Sequence, residues 1–363
     1  MAPEMTGQER VLAALRRQEP DRVPTFEWEV DSNVVARMTN GGNLLDFVDM
    51  YDLDAVVTRA NYRKEVIGPN RFLTEWGITQ QKGLEEHPAS VDSLAPIKSW
   101  ADWEKYQIPD PYAEGRFETL KEMVKRYKGR KAIILQTRDV FAHPRDLLGY
   151  ENFLVACLEQ PDLVTDIIEK TLDHNIKIVQ RAAELGADLV YTGDDLADTR
   201  RPLVSPRLWK KIFQPYFVKF VQAIHDAGLL YWKHSDGNLM PLLDMLVEAG
   251  IDGIDPIDPL AGMDIAAIKR DYGDRVAIKG NVDCAYLLVS GTPEQVESAV
   301  KYCLRVAAPG GGYALSSSNT IHSGVKPELY LAMRNALRKY GTYPLDMDAL
   351  ADGRPPEFVM QQP

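Results

Sequence analysis

The stretch "SPRLWKKIFQPYFVKFVQAIHDAGLLYWKHSDG" (205–237) contains one complete passage from helix to strand. Leu208, Ile212, Tyr216, Phe220 and Ile224 recur every four residues, which is the apolar stripe of an amphipathic helix. Ser205 supplies a start signal and Gly228 a stop. The run that follows, "LLYWKHSDG" (229–237), is short, mainly apolar and polar at its end, as expected of a parallel strand buried on both faces.

Working outward, seven more runs share that form: "VPTFEWEV" (23–30), "DAVVTRA" (54–60), "KAIILQTRD" (131–139), "ADLVYTGDD" (187–195), "IDGIDPID" (251–258), "RVAIKGNVD" (275–283) and "GGYALSSSN" (311–319). Most are followed by helical patterns. Eight strands alternating with helices predict a (β/α)8 TIM barrel. A doubly wound dinucleotide fold needs GxGxxG after its first strand, and "FEWEVDSN" offers none. Residues 61–130 are too long for one connection, so they are expected to be an insertion after the second strand. We expect a hairpin near the barrel mouth there, then a Pro-rich connection and a helix over 117–127. The reading is one domain, 1–345, followed by a C-terminal tail, 346–363.

Composition narrows the function classes. The chain has 363 residues, 45% hydrophobic and 26% charged, with a net charge of −11. Such a balance argues against a broad nucleic-acid or anionic-membrane surface. Cys157, Cys284 and Cys303 show no CxxC spacing and read as reduced, buried thiols, which fits a cytoplasmic location. No run of 18 apolar residues occurs, so no membrane span is expected.

In a barrel the strand ends meet at one mouth, where chemistry sits. Those ends carry Glu27 and Glu29, Arg59, Arg138 and Asp139, Asp194 and Asp195, His234 and Asp236, Asp255 and Asp258, Asn281 and Asp283, and Ser316 to Asn319 followed by His322. About half are expected to be helix caps and loop residues; Asp198, Ser205, Asp264 and Thr292 are read as caps. A lone histidine on an apolar strand is more often a core residue than a ligand. Asp236, two residues on, projects to the same side as His234 in an extended backbone. With Asp194 from the previous strand, the pair can hold a divalent metal, or it can be a histidine polarised for proton transfer. Sequence alone leaves both open. Phe26, Trp28, Tyr62, Trp76, Tyr191, Tyr231 and Trp232 are candidates to flank a flat ring, although core packing accounts for any one of them equally well.

Three stretches carry a family resemblance: "GDDLADTRRPLVSPRLWKKIFQPYFVKFVQAIHDAG", "WKHSDGNLMPLLDMLVEAGIDGIDPIDPLAGMDIAAIKRDYGDRVAIKGNVD" and "APGGGYALSSSNTIHSGVKPE". Together with the opening "TGQERVLAALRRQEPDRVP", they resemble the uroporphyrinogen decarboxylase superfamily, which implies a TIM barrel. The true decarboxylases carry an arginine-rich loop after the first strand. Here that place reads "FEWEVDSN", and the family's late histidine falls on Asn319. The resemblance is therefore nearer to the corrinoid methyltransferase branch, in which zinc acts as the electrophile. Thiol-activating members use His-x-Cys and a later Cys. Here the histidine is kept as His234, the first cysteine is replaced by Asp236, and the second falls at or beside Asn319. The harder ligands suit an oxygen substrate, as in the aryl-ether demethylating branch, but that branch's two glutamates have no counterpart at corresponding spacing.

The resemblance implies an O-demethylase that passes methyl from a small methoxylated, aromatic compound to a corrinoid protein. The alternatives are a decarboxylase of a porphyrinogen or other acid, and a barrel that only binds a ligand. Zinc would be held by His234, Asp236 and Asp194. Asn319 would close the opposite side, and Glu27 or Glu29 would serve as a further ligand or proton source. Asn281, Asp283 and Trp232 are assigned to cofactor binding, and a homodimer is the family's habit.

Overall fold

The structure, a computed structural model, describes residues 4–83 and 88–356. Residues 1–3, 84–87 and 357–363 lie outside it, including parts of the predicted insertion and tail. Among the described residues there are 11 strands, numbered in chain order. Seven form one parallel sheet: β1 (Ala55–Arg59), β6 (Ala132–Thr137), β7 (Leu189–Thr192), β8 (Leu230–His234), β9 (Gly253–Asp255), β10 (Ala277–Val282) and β11 (Tyr313–Ser317). Their order in the sheet is their order in the chain, and helices follow or intervene. The other four, β2 (Lys64–Gly68), β3 (Arg71–Thr74), β4 (Thr79–Gln81) and β5 (Ala89–Ser90), form an antiparallel sheet within 61–130. A single hairpin was expected there. The helix expected at 117–127 is found at Glu118–Tyr127.

The parallel sheet is curled, and the two faces of its strands bury different sets. Ala55, Ala132, Ile134, Leu189, Tyr191, Trp232, Ala277 and Ala314 form an inner cluster with Phe26. The alternate residues Val56, Ile133, Leu135, Val190, Tyr231, Ile278 and Leu315 belong to the outer cluster under the helices. Period two therefore decides which strand-end residues face inward. The N-terminal helix Gly7–Leu15, fixed by a Thr6–Glu9 capping box, adds Val11 and Leu15 to the inner cluster beside the first residues of the strands.

The predicted first strand, 23–30, is not a strand. It is held by isolated parallel bridges, Thr25 to Leu315 and Val30 to Ile321, while Thr25 O accepts from Asp54 N at 2.8 Å. Its backbone thus touches both outermost strands. Pro24 has no N–H to give a ladder, and Thr25 N is taken by the buried Asp54 carboxylate at 2.9 Å. That carboxylate also meets Arg10 at 3.2 Å and Arg22 at 2.9 Å.

The long helix read at 205–228 is two helices, Pro206–Ile212 and Gln214–Asp226, with Pro215 in the first turn of the second. Pro215 lacks the N–H that a continuous helix would need there. Ser205, Asp264 and Thr292 do cap helices. Asp198 does not; it accepts from the backbone N–H groups of Arg200 and Arg201 in a turn.

Candidate active site

Leu230, Trp232, His234 and Asp236 alternate onto the inner face of the sheet, so His234 ends β8 pointing into the mouth. Its ring is 4% exposed. On one side Nδ1 lies 3.3 Å from Asp255 Oδ2 and 3.4 Å from the Tyr191 hydroxyl. Asp255 is itself held by Lys279 at 2.7 Å and by the Tyr191 hydroxyl at 2.5 Å. This fixes the ring so that Nε2 faces two other carboxylates, Asp236 Oδ1 at 3.5 Å and Asp195 Oδ1 at 3.8 Å. Burial pulls the His234 pKa down, but the charges of Asp255 and Asp236 outweigh it and the net direction is up.

Among the described residues, Asp195, His234 and Asp236 form a group whose ligand atoms all lie within 4.8 Å of one another. Asn319, although exposed, donates Nδ2 to Asp236 Oδ2 at 2.6 Å. The other oxygen, Oδ1, is buried without a hydrogen-bond partner. Burial, with the like charges of Asp195 and Asp258, pushes the Asp236 pKa up to about 7 against the pull of His234. A carboxylate oxygen left unpaired beside a second carboxylate and an imidazole is short of positive charge. One nitrogen and two oxygens in that arrangement fit a divalent ion of the zinc type.

Asp194 is not in this group. It has the parity of Val190 and Thr192, so its carboxylate points outward and is fully buried. Its Oδ2 accepts from the backbone N–H groups of Asp139 and Phe141, both at 3.2 Å, and of Ala142 at 2.7 Å. It therefore holds the start of the helix Ala142–Leu148. Burial raises the cost of its charge, but Arg138 and Lys233 hold its pKa down at about 2. The carboxylate after β7 that joins the group is Asp195, and the alternation Leu189, Tyr191, Gly193, Asp195 is the sequence signal for it.

The remaining expected residues divide. Glu27 is buried on the outer face, where Ser317 Oγ donates to it at 2.6 Å. Burial raises its pKa despite that bond. Glu29 pairs with Arg59 at 2.9 Å. Asn281 donates to Ile257 O at 2.9 Å, and Asp283 Oδ1 receives the N–H groups of Tyr286 and Leu287. Both line a cavity of about 220 Å³ with Pro259, Cys303 and Pro355, which His234 does not line. Trp232, assigned to cofactor binding, is 0% exposed and packs edge-on against Phe26. It is an inner-core side chain and offers no surface to a cofactor.

Trp28 is the aromatic that sequence reasoning left undistinguished among seven. It is half-buried, and its ring centroid lies 3.8 Å from that of His234 and 4.8 Å from that of Tyr191. A Cβ on Gly193 would come within 1.6 Å of the Trp28 ring, so only glycine lets the indole lie there. We predict that Gly193→Ala displaces Trp28 and lowers turnover by about 10-fold to 100-fold while folding survives. A tryptophan emission spectrum and a thermal melt check this, and unchanged emission with unchanged turnover contradicts it. Tyr62 and Trp76 sit elsewhere: Tyr62 packs on His174, and Trp76 on His143 and His174.

The curled parallel sheet carries this His–carboxylate group at its strand ends, which is where α/β folds place their binding and catalytic residues. The sequence model of uroporphyrinogen decarboxylase (URO-D) matches residues 85–340, and the chain belongs to that family. It is 24% identical over 326 residues to the methylcobamide:CoM methyltransferase MtbA of Methanosarcina acetivorans, covering 85% of this chain and 93% of that one. It is 28% identical over 348 residues to the uroporphyrinogen decarboxylase of Psychromonas ingrahamii, covering 88% and 93%. A solved methyltransferase from Methanosarcina mazei superposes with a TM-score of 0.75 at 19% identity, covering 93% of this chain and 99% of that one. Identity alone does not separate the two activities of the relatives. No helix of the described residues is long and apolar enough to cross a membrane.

Proposed function

We propose that the protein is a corrinoid-dependent methyltransferase that demethylates a small methoxylated aromatic compound and passes the methyl group to a corrinoid protein. The observation that carries this reading is the convergence of Asp195 Oδ1, His234 Nε2 and the unpaired Asp236 Oδ1. The resemblance to methylcobamide:CoM methyltransferases supports the corrinoid partner. Asp236, where thiol-activating members have cysteine, supports an oxygen substrate.

Asp195, His234 and Asp236 would hold a divalent ion, which when bound would supply Lewis acidity toward the ether oxygen. The chain's own residues do the rest. Asp255 and Tyr191 lock the His234 ring so that Nε2 is presented to the mouth. Asn319 occupies one oxygen of Asp236 and leaves the other available. Trp28 forms an apolar wall on the His234 ring and excludes water from that side. We also read segment 23–30 as closing the curled sheet into a barrel, with 1–345 as one domain; a cytoplasmic homodimer fits the same reading.

The test is a coupled assay with a reduced corrinoid protein and a panel of methoxybenzoates and methoxyphenols. Disappearance of the cob(I)alamin absorbance, dependent on a methoxyarene, is the expected result. Release of CO2 from a carboxylic acid without corrinoid methylation would instead establish the decarboxylase reading.

A further inference from the structure

The inner face of the mouth is divided by charge. His234, Asp195, Asp236 and Asp255 come from β7, β8 and β9. Apart from Lys279 of β10, which is paired with Asp255 at 2.7 Å, the opposite sign comes from β1 and β6: Arg59 ends β1, and Arg138 follows β6 with the inward parity of Ala132, Ile134 and Gln136. Arg59 makes two short bonds, to Gln136 at 2.6 Å and to Glu29 at 2.9 Å.

Arg138 is not engaged in that way. Its side chain is 42% exposed, and its contacts are long, 3.4 Å to Gly193 O and 3.6 Å to Asp194 Oδ1. Three backbone N–H groups serve Asp194 Oδ2, while Oδ1 has Arg138 as a nearby cation; Arg138 thus balances that buried charge from a distance and is still 42% exposed. A guanidinium has five N–H donors in a planar fork that matches a carboxylate with two parallel bonds. Trp28 ties the two halves together, because its indole lies on the Cβ position of Gly193, whose carbonyl receives Arg138, and also on the His234 ring.

We propose that Arg138 is a substrate-binding residue that receives a carboxylate, so that the methoxylated substrate is an aromatic acid. Its ring lies along Trp28, with its ether end at His234 and its carboxylate end at Arg138. This deepens the proposed function and rests on it for the identity of the reacting end only.

Calorimetric titration of the full-length protein with 4-methoxybenzoate and with 4-methoxybenzamide tests it. The amide keeps ring and ether but loses the charge. The wild type is expected to bind the acid at least about 10-fold more tightly than the amide. Arg138→Gln should weaken the acid by about 10-fold to 100-fold and leave the amide within about twofold, and Arg138→Lys should recover part of the loss. Equal binding of acid and amide by the wild type, no binding of the acid, or an unchanged preference in Arg138→Gln would overturn the assignment. If Arg138→Gln does not fold, the wild-type preference is measured from about 50 to 500 mM salt, where a charge-based preference must shrink and a shape-based one stays. The outcomes separate from those of the methyl-transfer assay. Arg138-dependent binding of the acid without corrinoid methylation would remove the proposed function and keep the anchor. Methylation from neutral methoxyarenes, equally fast in Arg138→Gln, would do the reverse.

Discussion

His234→Ala is expected to bind no divalent ion and to lose about 10³-fold of the proposed methyl-transfer rate, while still folding. Nε2 is the nitrogen of the three-atom group, and without it Asp195 and Asp236 are two carboxylates with no third ligand from the described residues. The fold survives because the groups behind the ring keep their partners: Asp255 retains Lys279 at 2.7 Å and Tyr191 at 2.5 Å. Loss of the buried ring and of its contact with Trp28 costs about 1–2 kcal/mol. Elemental analysis of protein purified without chelator, with a denaturation curve and the corrinoid assay, checks all three parts. Normal turnover in this variant would make His234 a core histidine and put the chemistry elsewhere.

Lys233→Met has its effect on stability. Lys233 is on the outer face of β8, 0% exposed, and its Nζ donates to Asp139 Oδ2 and to Asp194 O, each at 2.7 Å. Asp139 is equally buried and also receives Thr192 Oγ1 at 2.8 Å. Burial first, and then Asp194, pushes the Asp139 pKa up to about 6 even with the lysine present. Removing the cation leaves a buried carboxylate without its counter-charge, which costs about 3–5 kcal/mol.

The sign of the pH dependence follows. An acid whose folded pKa is raised binds its proton more tightly when folded, so stability falls as pH rises from the unfolded value near 4 through the folded one. In Lys233→Met the folded pKa rises further, so the deficit is largest near pH 8 and shrinks toward pH 5. Lys233→Met/Asp139→Asn should recover most of the loss, because the pair is then removed as a unit. Urea denaturation of the wild type, Lys233→Met, Asp139→Asn and the double variant at both pH values measures this. A deficit that is the same at pH 5 and 8 contradicts the account.

The parallel sheet was legible because each strand is a short apolar run with a polar end, and seven of the eight runs form strands. The run at 23–30 has the same look. Its pairing is decided by Pro24 and by the Asp54 carboxylate from a distant part of the chain, which no local pattern records. The centre of the site was legible too, because His234 and Asp236 share a face by period two. The same rule, continued past β7 from Leu189 and Tyr191, turns Asp195 inward and Asp194 outward. Trp28 was hidden for a different reason. Its role depends on the space left by Gly193, and a glycine in a strand-end loop announces flexibility, not an approaching indole. Trp232 shows the converse, since an aromatic next to a site residue in sequence is buried at the inner core.

The most direct test of the central claim is an anomalous difference map, recorded at the zinc edge, from crystals of protein grown with zinc and never exposed to chelator. The account predicts one strong peak bounded by Asp195 Oδ1, His234 Nε2 and Asp236 Oδ1. A zinc-replete crystal with no peak there, or with its metal held by other residues, would contradict it.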